Sequence, residues 1–341
     1  MKTYLYHLEF PGGAHFGRQG IGLEETRESF SSDSLFSALI NAFSLVGEAD
    51  EVLAALGSET PPFHLSSLFP YGPDKSDKNS KRLYALPRPM TMPRVQDNSV
   101  LRSAGKDLKK IRYLVPEDVV RWLDDRPLTE DDIHAMRTRA ARLARPWNEE
   151  TKEGWHAVFL RPRVALDRNS QNSAIWWCGE IHFSRKAGLF GLVRFQDEAW
   201  KPRLEAAFRL LSDMGLGGER TYGLGMFRFD GFTPVEDVWS LNLPEADPRR
   251  HVLLSRYVPT KDELGRLPQV LSAWDMEESR GYVVSGRSAT TVKRKRVRFL
   301  IEGSVAREPL SGRLVDVTPE QGLALGLTHR VYRSGLGFWF P

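Results

Sequence analysis

The order in which strand-like and helix-like segments follow one another constrains the fold of this chain more than any single motif. Residues 3–10 alternate in polarity as a half-buried strand does, and a glycine-studded loop separates them from the first helix. Residues 31–33, Ser-Ser-Asp, favour the N-cap of that helix. Its apolar stripe is Leu35, Leu39, Phe43 and Val46. The pattern predicts a strand, a loop and a core-facing helix.

The middle of the chain contains strand-like runs rich in aromatic and β-branched residues, at 155–166, 175–183 and 189–195. We expect these runs to share one sheet. A second helix begins near Glu198 and ends at Gly215, because glycine tolerates the positive φ that often follows a helix. A glycine-rich loop and a short strand at 226–229 follow this helix.

The C-terminal part of the chain repeats this order. A strand at 251–258 precedes two capping boxes, at 260–263 and 318–321, each of which predicts a helix start. Each half therefore reads as strand, helix, strands, helix, strand. The order predicts an α+β fold of two tandem ferredoxin-like, RRM-related domains, 1–240 and 250–341, joined by a proline- and charge-rich linker.

The first predicted domain carries an insertion at about 72–150, where apolar periodicity weakens and Pro, Lys, Arg, Ser and Asp accumulate. We expect a thumb-like, partly mobile region. Its candidate RNA-binding cations are Arg88, Arg94, Arg102 and Lys106. A flexible basic hairpin could follow a sugar-phosphate backbone and insert an apolar side chain between bases, although a solvated loop has the same composition.

Composition limits the chemistry that the chain can carry. The 48 Lys and Arg residues nearly balance the 44 Asp and Glu residues, so a nucleic-acid site must come from local clusters. The one cysteine, Cys178, cannot form an internal disulfide, and its apolar neighbours suggest a buried thiol in a reducing cytoplasm. The 8 His residues are scattered without metal-ligand spacing, and no segment reads as a targeting or membrane-spanning sequence. We therefore expect no metal, no cofactor and no membrane association.

The glycine-rich loop at 215–225 has five glycines in eleven residues. Glycines let backbone N–H groups approach a phosphate, and an arginine in such a loop can add a bidentate clamp. The loop is not a Walker loop, because it follows a helix and lacks a terminal Lys-Ser or Lys-Thr. A long helix C-cap and turn is an equally physical interpretation. The candidate RNA-binding residues are Gly217, Gly218, Arg220, Thr221 and Tyr222.

A second loop, at 12–20, contributes His15, Gly17 and Arg18 as RNA-binding candidates. It lies between the first strand and the first helix, at one end of the sheet, where its side chains could meet a phosphate or a base. His15 could instead be a general base for RNA cleavage, or could simply cap a tight surface loop. A ribonuclease needs a second acid or base and a charge stabiliser, and no local cluster supplies them. We therefore expect no catalytic residues.

Two further basic runs are candidates for phosphate contact. Residues 293–298 place five cations in six positions, and strand alternation would put Arg294 and Arg296 on one face and Lys293 on the other. Arg163 and Arg168 lie along a strand that leads into a loop. An edge strand protected by charge would look like the first run. We favour phosphate binding, because an anion relieves the repulsion among like charges.

Taken together, the motifs resemble the RAMP family of CRISPR proteins, and in particular the Csm-complex subunits that cap the 5′ handle of the guide RNA. The resemblance spans nearly the whole chain and depends on the order of the motifs. They are 15–17 (His-Phe-Gly), 32–39 (Ser-Asp-Ser-Leu-Phe-Ser-Ala-Leu), 66–71 (Ser-Ser-Leu-Phe-Pro-Tyr), 163–168 (Arg-Val-Ala-Leu-Asp-Arg), 217–225, 302–304 (Glu-Gly-Ser) and 330–336.

The resemblance implies a non-catalytic crRNA-binding subunit of a type III-A effector complex in antiviral defence. Such a subunit docks on a large polymerase-like Cas subunit with a cyclase-type palm domain and on the backbone RAMP subunit, and it meets target RNA only indirectly. The loops at 15–18 and 217–222 would face the RNA. Three alternatives stay open: a metal-independent CRISPR-RNA processing endoribonuclease of the same superfamily, the equivalent subunit of a type III-B (Cmr) complex, and a scaffold whose cationic strand meets an acidic protein.

Overall fold

The computed structural model describes residues 1–17, 22–74, 81–97, 105, 108–151, 153–166, 173–239, 250–285, 288–320 and 326–341. The described helices are α1 (Ser32–Leu45), α2 (Ala49–Leu56), α3 (Pro116–Leu123), α4 (Glu130–Ala140), α5 (Lys201–Met214), α6 (Lys261–Leu264) and α7 (Leu267–Val270). The strands before the predicted linker are β1 (Lys2–Glu9), β2 (Phe63–Leu65), β3 (Phe69–Pro73), β4 (Arg82–Tyr84), β5 (Leu86–Pro87), β6 (Tyr113–Leu114), β7 (His156–Leu166), β8 (Ser173–Phe183), β9 (Gly188–Phe195), β10 (Arg228–Phe229) and β11 (Thr233–Pro234). The strands after it are β12 (His251–Leu253), β13 (Leu271–Ala273), β14 (Met276–Ser279), β15 (Tyr282–Ser285), β16 (Ser288–Lys293), β17 (Val297–Leu300), β18 (Val305–Ala306), β19 (Gly312–Asp316), β20 (Tyr332–Leu336) and β21 (Trp339–Phe340).

The largest sheet is antiparallel and is built from strands of the first part of the chain. Its strand order is β10-β1-β9-β3-β4, with β11 beside β1 and β2 beside β9. The central pair, β1 and β9, has a register that places Lys2 opposite Phe195. Along β1, Tyr6 and Leu8 belong to the core on one face and Leu5 to the core on the other. The sheet is therefore covered on both faces.

Helices α1 and α5 cover the first face. The core residues that they contribute are Leu35, Phe36, Leu39, Ala42, Phe43, Leu204, Ala207, Phe208 and Leu211. Helix α1 begins directly after Ser31, and α5 follows a 3₁₀ turn at Glu198–Trp200 and ends at Gly215, which has a φ of 77°. Both predicted helices are confirmed, because an apolar stripe and end residues are local signals that a sequence carries directly.

The inserted region covers the opposite face. Trp122 of α3 is fully buried, and its Nε1 donates a hydrogen bond of 2.8 Å to the carbonyl of Thr91. Ile133 and Met136 of α4 belong to the same core as Leu5 of β1. The prediction of a flexible basic hairpin is therefore wrong for the described part of this region. Its apolar residues lie on helices of 8 and 11 residues, which are too short for their periodicity to stand out from the polar sequence around them.

Strands β7 and β8 form a separate hairpin, with His156 opposite Phe183 and Leu166 opposite Ser173. Of the three runs predicted to share a sheet, only β9 joins the main sheet, so that prediction is wrong. The physical reason is that most residues of β7 are exposed, as in a projecting hairpin, whereas a strand inside a sheet buries at least one face. The apolar side chains of this exposed hairpin give it the same sequence pattern as a buried strand.

The C-terminal part forms a second antiparallel sheet in the order β13-β18-β12-β21. Val252 and Phe340 of this sheet share a buried cluster with Leu5 of the main sheet. Helix α6 starts at the predicted capping box, which is confirmed. The helix predicted from 318 is not seen at 318–320, and its continuation lies outside the described residues. The predicted domain boundary at 240–250 also falls mostly outside them and stays a prediction.

A polar network built around the buried residues Ser32, Ser67 and Arg256 connects the two parts of the chain, and we call it the polar joint. Its members are Arg27, Ser32, Ser67, Arg256, Glu277 and Glu302. The backbone N–H of Ser32 donates to Oγ of Ser67 over 2.8 Å, and the Ser67 hydroxyl donates to the Glu302 carboxylate. Arg256 lies 2.6 Å from Glu277 and 3.2 Å from Glu302. Three of the sequence motifs quoted above therefore meet inside the structure.

Candidate nucleic-acid interface

The two glycine loops singled out in the sequence lie against each other. The backbone N–H of Gly218 donates to the carbonyl of His15 over 2.9 Å, and that of Gly225 donates to the carbonyl of Gly13 over 2.9 Å. Gly217 has a φ of +92°, and a Cβ there would lie 2.3 Å from the carbonyl oxygen of His15. Glycine suits this position because other residues rarely adopt such a φ and because backbone atoms fill the space.

The base of the β7–β8 hairpin packs against the first of these loops. Ala14 and Ile181 exchange backbone hydrogen bonds of 2.9 and 2.8 Å. The Nδ1 of His15 lies 2.7 Å from the carbonyl oxygen of Gly179, and because a carbonyl only accepts, Nδ1 carries the proton. We call the surface formed by residues 12–17, 157–163, 178–182 and 215–225 the glycine-loop interface.

His15 is a buried packing element of this interface. The residue is 3% exposed, and a Cβ added at Gly17 or Gly218 would lie 2.6 or 2.9 Å from its ring. The Sγ of Cys178 lies 3.9 Å from Nδ1. Cys178 is fully buried, as predicted, and burial raises the pKa of its thiol. The geometry therefore does not present His15 to solvent as a general base.

Arg163 lies where the hairpin meets the second glycine loop. Its guanidinium carbon is 4.1 Å from the centre of the Tyr222 ring, and its Nη2 is 3.0 Å from the Glu180 carboxylate. A carboxylate oxygen of Glu219 lies 4.0 Å from Nε. Stacking on an aromatic face and pairing with carboxylates hold the guanidinium in one orientation. The structure thus brings together two residues, Arg163 and Tyr222, that are far apart in the sequence.

Glu180 is the buried centre of a charge cluster in the hairpin. Its carboxylate lies 2.7 Å from Arg161, 3.0 Å from Arg163 and 3.2 Å from His182. A buried carboxylate needs such partners, because an unpaired charge is costly to desolvate. The Arg161 side chain is nevertheless 58% exposed, and one carboxylate does not satisfy all five guanidinium N–H groups. Arg161 is therefore available to a second anion.

The tip of the second glycine loop is an exposed turn. Residues 220–222, Arg-Thr-Tyr, form a single 3₁₀ turn between Glu219 and Gly223, both of which have left-handed backbone conformations. The Tyr222 ring is 57% exposed although one of its faces meets Arg163. An exposed aromatic ring beside hydroxyl and guanidinium groups can stack on a base and contact a phosphate.

Sequence reasoning did not single out four residues of this interface: Arg161, Glu180, His182 and Glu219. For the three that lie in the hairpin, the signal is the cross-strand pairing, which sets Arg161 opposite Cys178 and His182 opposite Ala157 and so places their charges on one face. A sequence does not show this register directly, because no short turn motif fixes it. Glu219 lies in the second glycine loop, close to Arg163.

The remaining predicted RNA-binding residues are not brought to the interface. Arg18, Arg102, Lys106 and Arg168 lie outside the described residues. The Nε of Arg88 donates to the carbonyl of Ile111 over 2.9 Å, and burial lowers the pKa of Arg88. Arg94 lies 3.5 Å from the Asp125 carboxylate. Arg88 is therefore engaged within the inserted region, whereas the Arg94 side chain is 61% exposed and keeps an open side there.

The basic run of the C-terminal part does not form the continuous strand whose alternation was predicted. A break at 294–296 separates β16 from β17. Arg294 is 9% exposed and donates to the carbonyl of Arg280, whereas Lys293 and Arg296 are exposed. Arg296 lies 4.0 Å from Glu278. The expected pairing of Arg294 with Arg296 on one face is wrong, because residues between two strands do not follow the two-residue period.

The described residues place no group of three or more His, Cys, Asp or Glu side chains where it could hold a metal ion. None of the helices in that part of the chain combines the length and the apolar character needed to cross a membrane. The expected absence of a metal and of a cofactor stays a prediction.

Residues 246–341 match the family described as the CRISPR Csm4 C-terminal domain. Similarity to curated proteins extends over nearly the whole chain. The "CRISPR system Cms protein Csm4" of Thermococcus onnurineus is 26% identical over 315 residues, which cover 90% of this chain and 89% of the relative. The protein of the same name from Methanocaldococcus jannaschii is 24% identical, over 100% of this chain and 97% of the relative. Residues 246–341 therefore match a Csm4 family model, and nearly the whole chain is similar to Csm4 proteins.

Solved structures that contain Csm4 share the fold. A chain of the crystal structure described as the Csm3-Csm4 subcomplex in the type III-A CRISPR-Cas interference complex superposes with a TM-score of 0.61 at 19% identity, and the match covers 100% of this chain and 99% of that one. A chain of the Csm1-Csm4 cassette in complex with pppApA gives a TM-score of 0.57 at 21% identity, over 100% and 97%. The chain therefore shares the α+β fold of these Csm4-containing structures.

Proposed function

We propose that this protein is a Csm4-type, non-catalytic subunit of a type III-A CRISPR effector complex and that it holds the 5′ handle of the crRNA. The observation that carries the proposal is the convergence of two glycine loops on Arg161, Arg163 and Tyr222 at the base of the hairpin. RNA offers what these groups bind, since its phosphates pair with guanidinium groups and its unstacked bases stack on aromatic rings.

The surroundings of His15 favour binding over cleavage. A general base must come within hydrogen-bond reach of the proton that it removes. His15 is buried instead, and its Nδ1 contacts the carbonyl of Gly179. We therefore assign no catalytic role to the interface.

The processing ribonuclease is the rival function, and incubation of repeat RNA with the protein in EDTA separates the two. The proposal expects intact RNA. Specific cleavage that disappears in the variant His15→Ala would establish the ribonuclease instead.

The partners follow from the solved structures that resemble this chain, which are described as Csm1-Csm4 and Csm3-Csm4 complexes. We propose that this protein bridges a large polymerase-like subunit with a cyclase-type palm and a backbone RAMP subunit in the cytoplasm. It then meets target RNA only through the assembled complex. Co-expression with Csm-type and with Cmr-type partners separates this placement from a type III-B one, because only the matching set should co-purify.

The sheet orders support the finer assignment of the fold as two ferredoxin-like units. If the strands β1, β3, β9 and β10 of the main sheet are numbered one to four along the chain, their order across the sheet is 4-1-3-2. If the strands β12, β13, β18 and β21 of the C-terminal sheet are numbered in the same way, their order is 2-3-1-4. Read from the other edge, this is again 4-1-3-2. The projecting β7–β8 hairpin, instead of the insertion at 72–150, then corresponds to the thumb-like element.

The experiment that tests the proposed function measures handle RNA binding by the complex reconstituted with its Csm1- and Csm3-type partners. Arg161→Gln should weaken binding several-fold and lower the slope of log affinity against log salt by about 1, because one phosphate contact is lost. Arg209→Gln is the matched control, since Arg209 is a 69% exposed arginine on α5, outside the interface. Equal binding by the two variants would overturn the proposed function.

A further inference from the structure

A cleft of about 630 Å³ lies in the inserted region, between helix α4 and the segments 110–113 and 143–146. This volume falls within the range of roughly 300–1,000 Å³ that is usual for small-molecule sites. The basic residues that line it are Lys110, Arg112, His134, Arg137 and Arg145, and the described lining contains no Asp or Glu. Its apolar lining includes Ile111, Ala140, Leu143 and Ala144, which are buried or half-buried. The cleft thus combines a basic rim with an apolar floor.

Helix α4 presents one face to the cleft because its other face is anchored. Ile133 and Met136 are buried in the core, and Arg139 donates to the carboxylate of buried Asp118 on α3 over 2.8 Å. The residues of α4 and its end that line the cleft are His134, Arg137, Thr138, Ala140 and Ala141. The spacing of three and four residues among His134, Arg137, Thr138 and Ala141 places these four on one side of the helix. The anchored face keeps these residues in place.

Two of the rim cations, Arg112 and Arg145, pair with carboxylates that do not occupy all of their N–H donors. Nη2 of Arg112 lies 2.6 Å from Glu28, and Nη1 of Arg145 lies 3.5 Å from Glu153. The Arg112 side chain is nevertheless 73% exposed. A guanidinium has five N–H donors, so one carboxylate leaves donors for an incoming anion.

A short segment links the wall of the cleft to the glycine-loop interface. Thr26 forms a β-bridge with Gly17, and two residues later Glu28 binds Arg112 and accepts a 2.9 Å hydrogen bond from the Tyr113 hydroxyl. Pro146, an exposed residue of the cleft lining, forms a bridge with His156 at the base of the hairpin. The cleft and the interface are therefore adjacent parts of one framework.

We propose that this cleft binds one nucleotide unit, with its phosphate on the basic rim and its base and ribose against the apolar floor. The cleft is a site separate from the glycine-loop interface, and only the choice of RNA as first probe rests on the proposed function. The unit belongs either to a single-stranded RNA or to a free nucleotide. Both present the same phosphate, ribose and base.

The experiment compares Ala141→Glu with Ala141→Gln in the full chain, since these side chains match in size and differ in charge. The probes are a fluorescent uridine octamer and AMP, each titrated at two salt concentrations. The carboxylate should weaken probe binding at least about fivefold relative to the amide, because it lies among the rim cations. Arg137→Gln should weaken binding in the same way, and Arg209→Gln should not. Melting temperatures of the four variants identify any that unfolds. If an Ala141 variant unfolds, the comparison of Arg137→Gln with Arg209→Gln decides whether the cleft binds the probe.

Each outcome has one meaning. A difference seen with both probes supports a site for free nucleotides, and a difference seen with the octamer alone supports a site for a strand. Equal binding by the Glu and Gln variants with both probes, together with no effect of Arg137→Gln, overturns the cleft proposal. If Arg161→Gln still weakens handle binding in that case, the proposed function stands alone. If the cleft variants weaken binding and Arg161→Gln does not, the proposed function fails and the cleft remains.

Discussion

In the polar joint, the side chain of Arg256 is 8% exposed, whereas in the glycine-loop interface that of Arg161 is 58% exposed. Both arginines pair with carboxylates. Arg256 lies between Glu277 and Glu302, which enclose it, while Arg161 meets the buried Glu180 and keeps an open side. An arginine near a family motif is therefore not by itself a sign of RNA contact, because its exposure decides whether a further anion can reach it.

The largest expected effect concerns the enclosed arginine. Arg256→Met should lower the free energy of unfolding by about 3–5 kcal/mol, because Glu277 and Glu302 lose their buried cation. Urea denaturation of the purified protein measures this. Folded molecules should keep their affinity for RNA, since the polar joint is not the binding surface. A loss below about 1 kcal/mol would show that the joint behaves like an exposed ion pair.

The next prediction distinguishes the close packing of the two glycine loops from the backbone strain at their glycines. Gly217 and Gly223 have φ values of +92° and +82°, but an added Cβ meets the His15 carbonyl at Gly217 and nothing within 4 Å at Gly223. Both alanine variants carry the left-handed strain of about 1–2 kcal/mol. Gly217→Ala should cost more than Gly223→Ala and should weaken RNA binding roughly tenfold more, because it pushes the two loops apart. Equal effects in melting and binding would contradict the close packing of the loops.

A smaller effect follows from pH. Burial alone would raise the pKa of Glu277, but hydrogen bonds from Arg27 and Arg256 outweigh it and lower the pKa to about 2. Because the folded pKa lies below the unfolded one, this group stabilises the protein fully above about pH 4.5 and loses that contribution as the pH falls towards 2. Stability curves should therefore be flatter over this range in Glu277→Gln than in the parent. Parallel curves would contradict the assignment.

The smallest stability effect is expected at the exposed arginine. Arg161→Gln should change the free energy of unfolding by less than about 1 kcal/mol, because Glu180 keeps Arg163 and His182 as partners. Thermal melting of this variant beside Arg256→Met measures the contrast between the two regions directly. A loss as large as that of Arg256→Met would mean that Arg161 is structural.

Sequence patterns indicated the elements whose signals are local. Helices α1 and α5, the Thr260 capping box and the buried Cys178 depend on short-range periodicity and end residues. The hairpin and the inserted helices were misjudged because exposure and pairing depend on distant segments. The break at 294–296 was missed because a run of cations carries no signal for where a strand ends.

Sequence patterns indicated individual residues of the site but not the contacts between them. His15, Gly217 and Gly218 were singled out as glycine-loop residues, and the bridge between His15 and Gly218 appears only in the fold. Glu180 is not part of a recognisable sequence motif, because its arginine partners lie on the opposite strand of the hairpin. The resemblance supplied the order of the motifs, whereas the structure shows that Ser32, Ser67 and Glu302 hold the two parts of the chain together.

Crosslinking of handle RNA in the reconstituted complex tests the central claim most directly. Each position of the 5′ handle is replaced in turn by 4-thiouridine, and crosslinked peptides are identified by mass spectrometry. We expect crosslinks to residues 215–225 and 157–163, with Tyr222 among them. Crosslinks confined to other surfaces of this protein, such as the basic run at 293–298, with none in the glycine-loop interface, would contradict that claim.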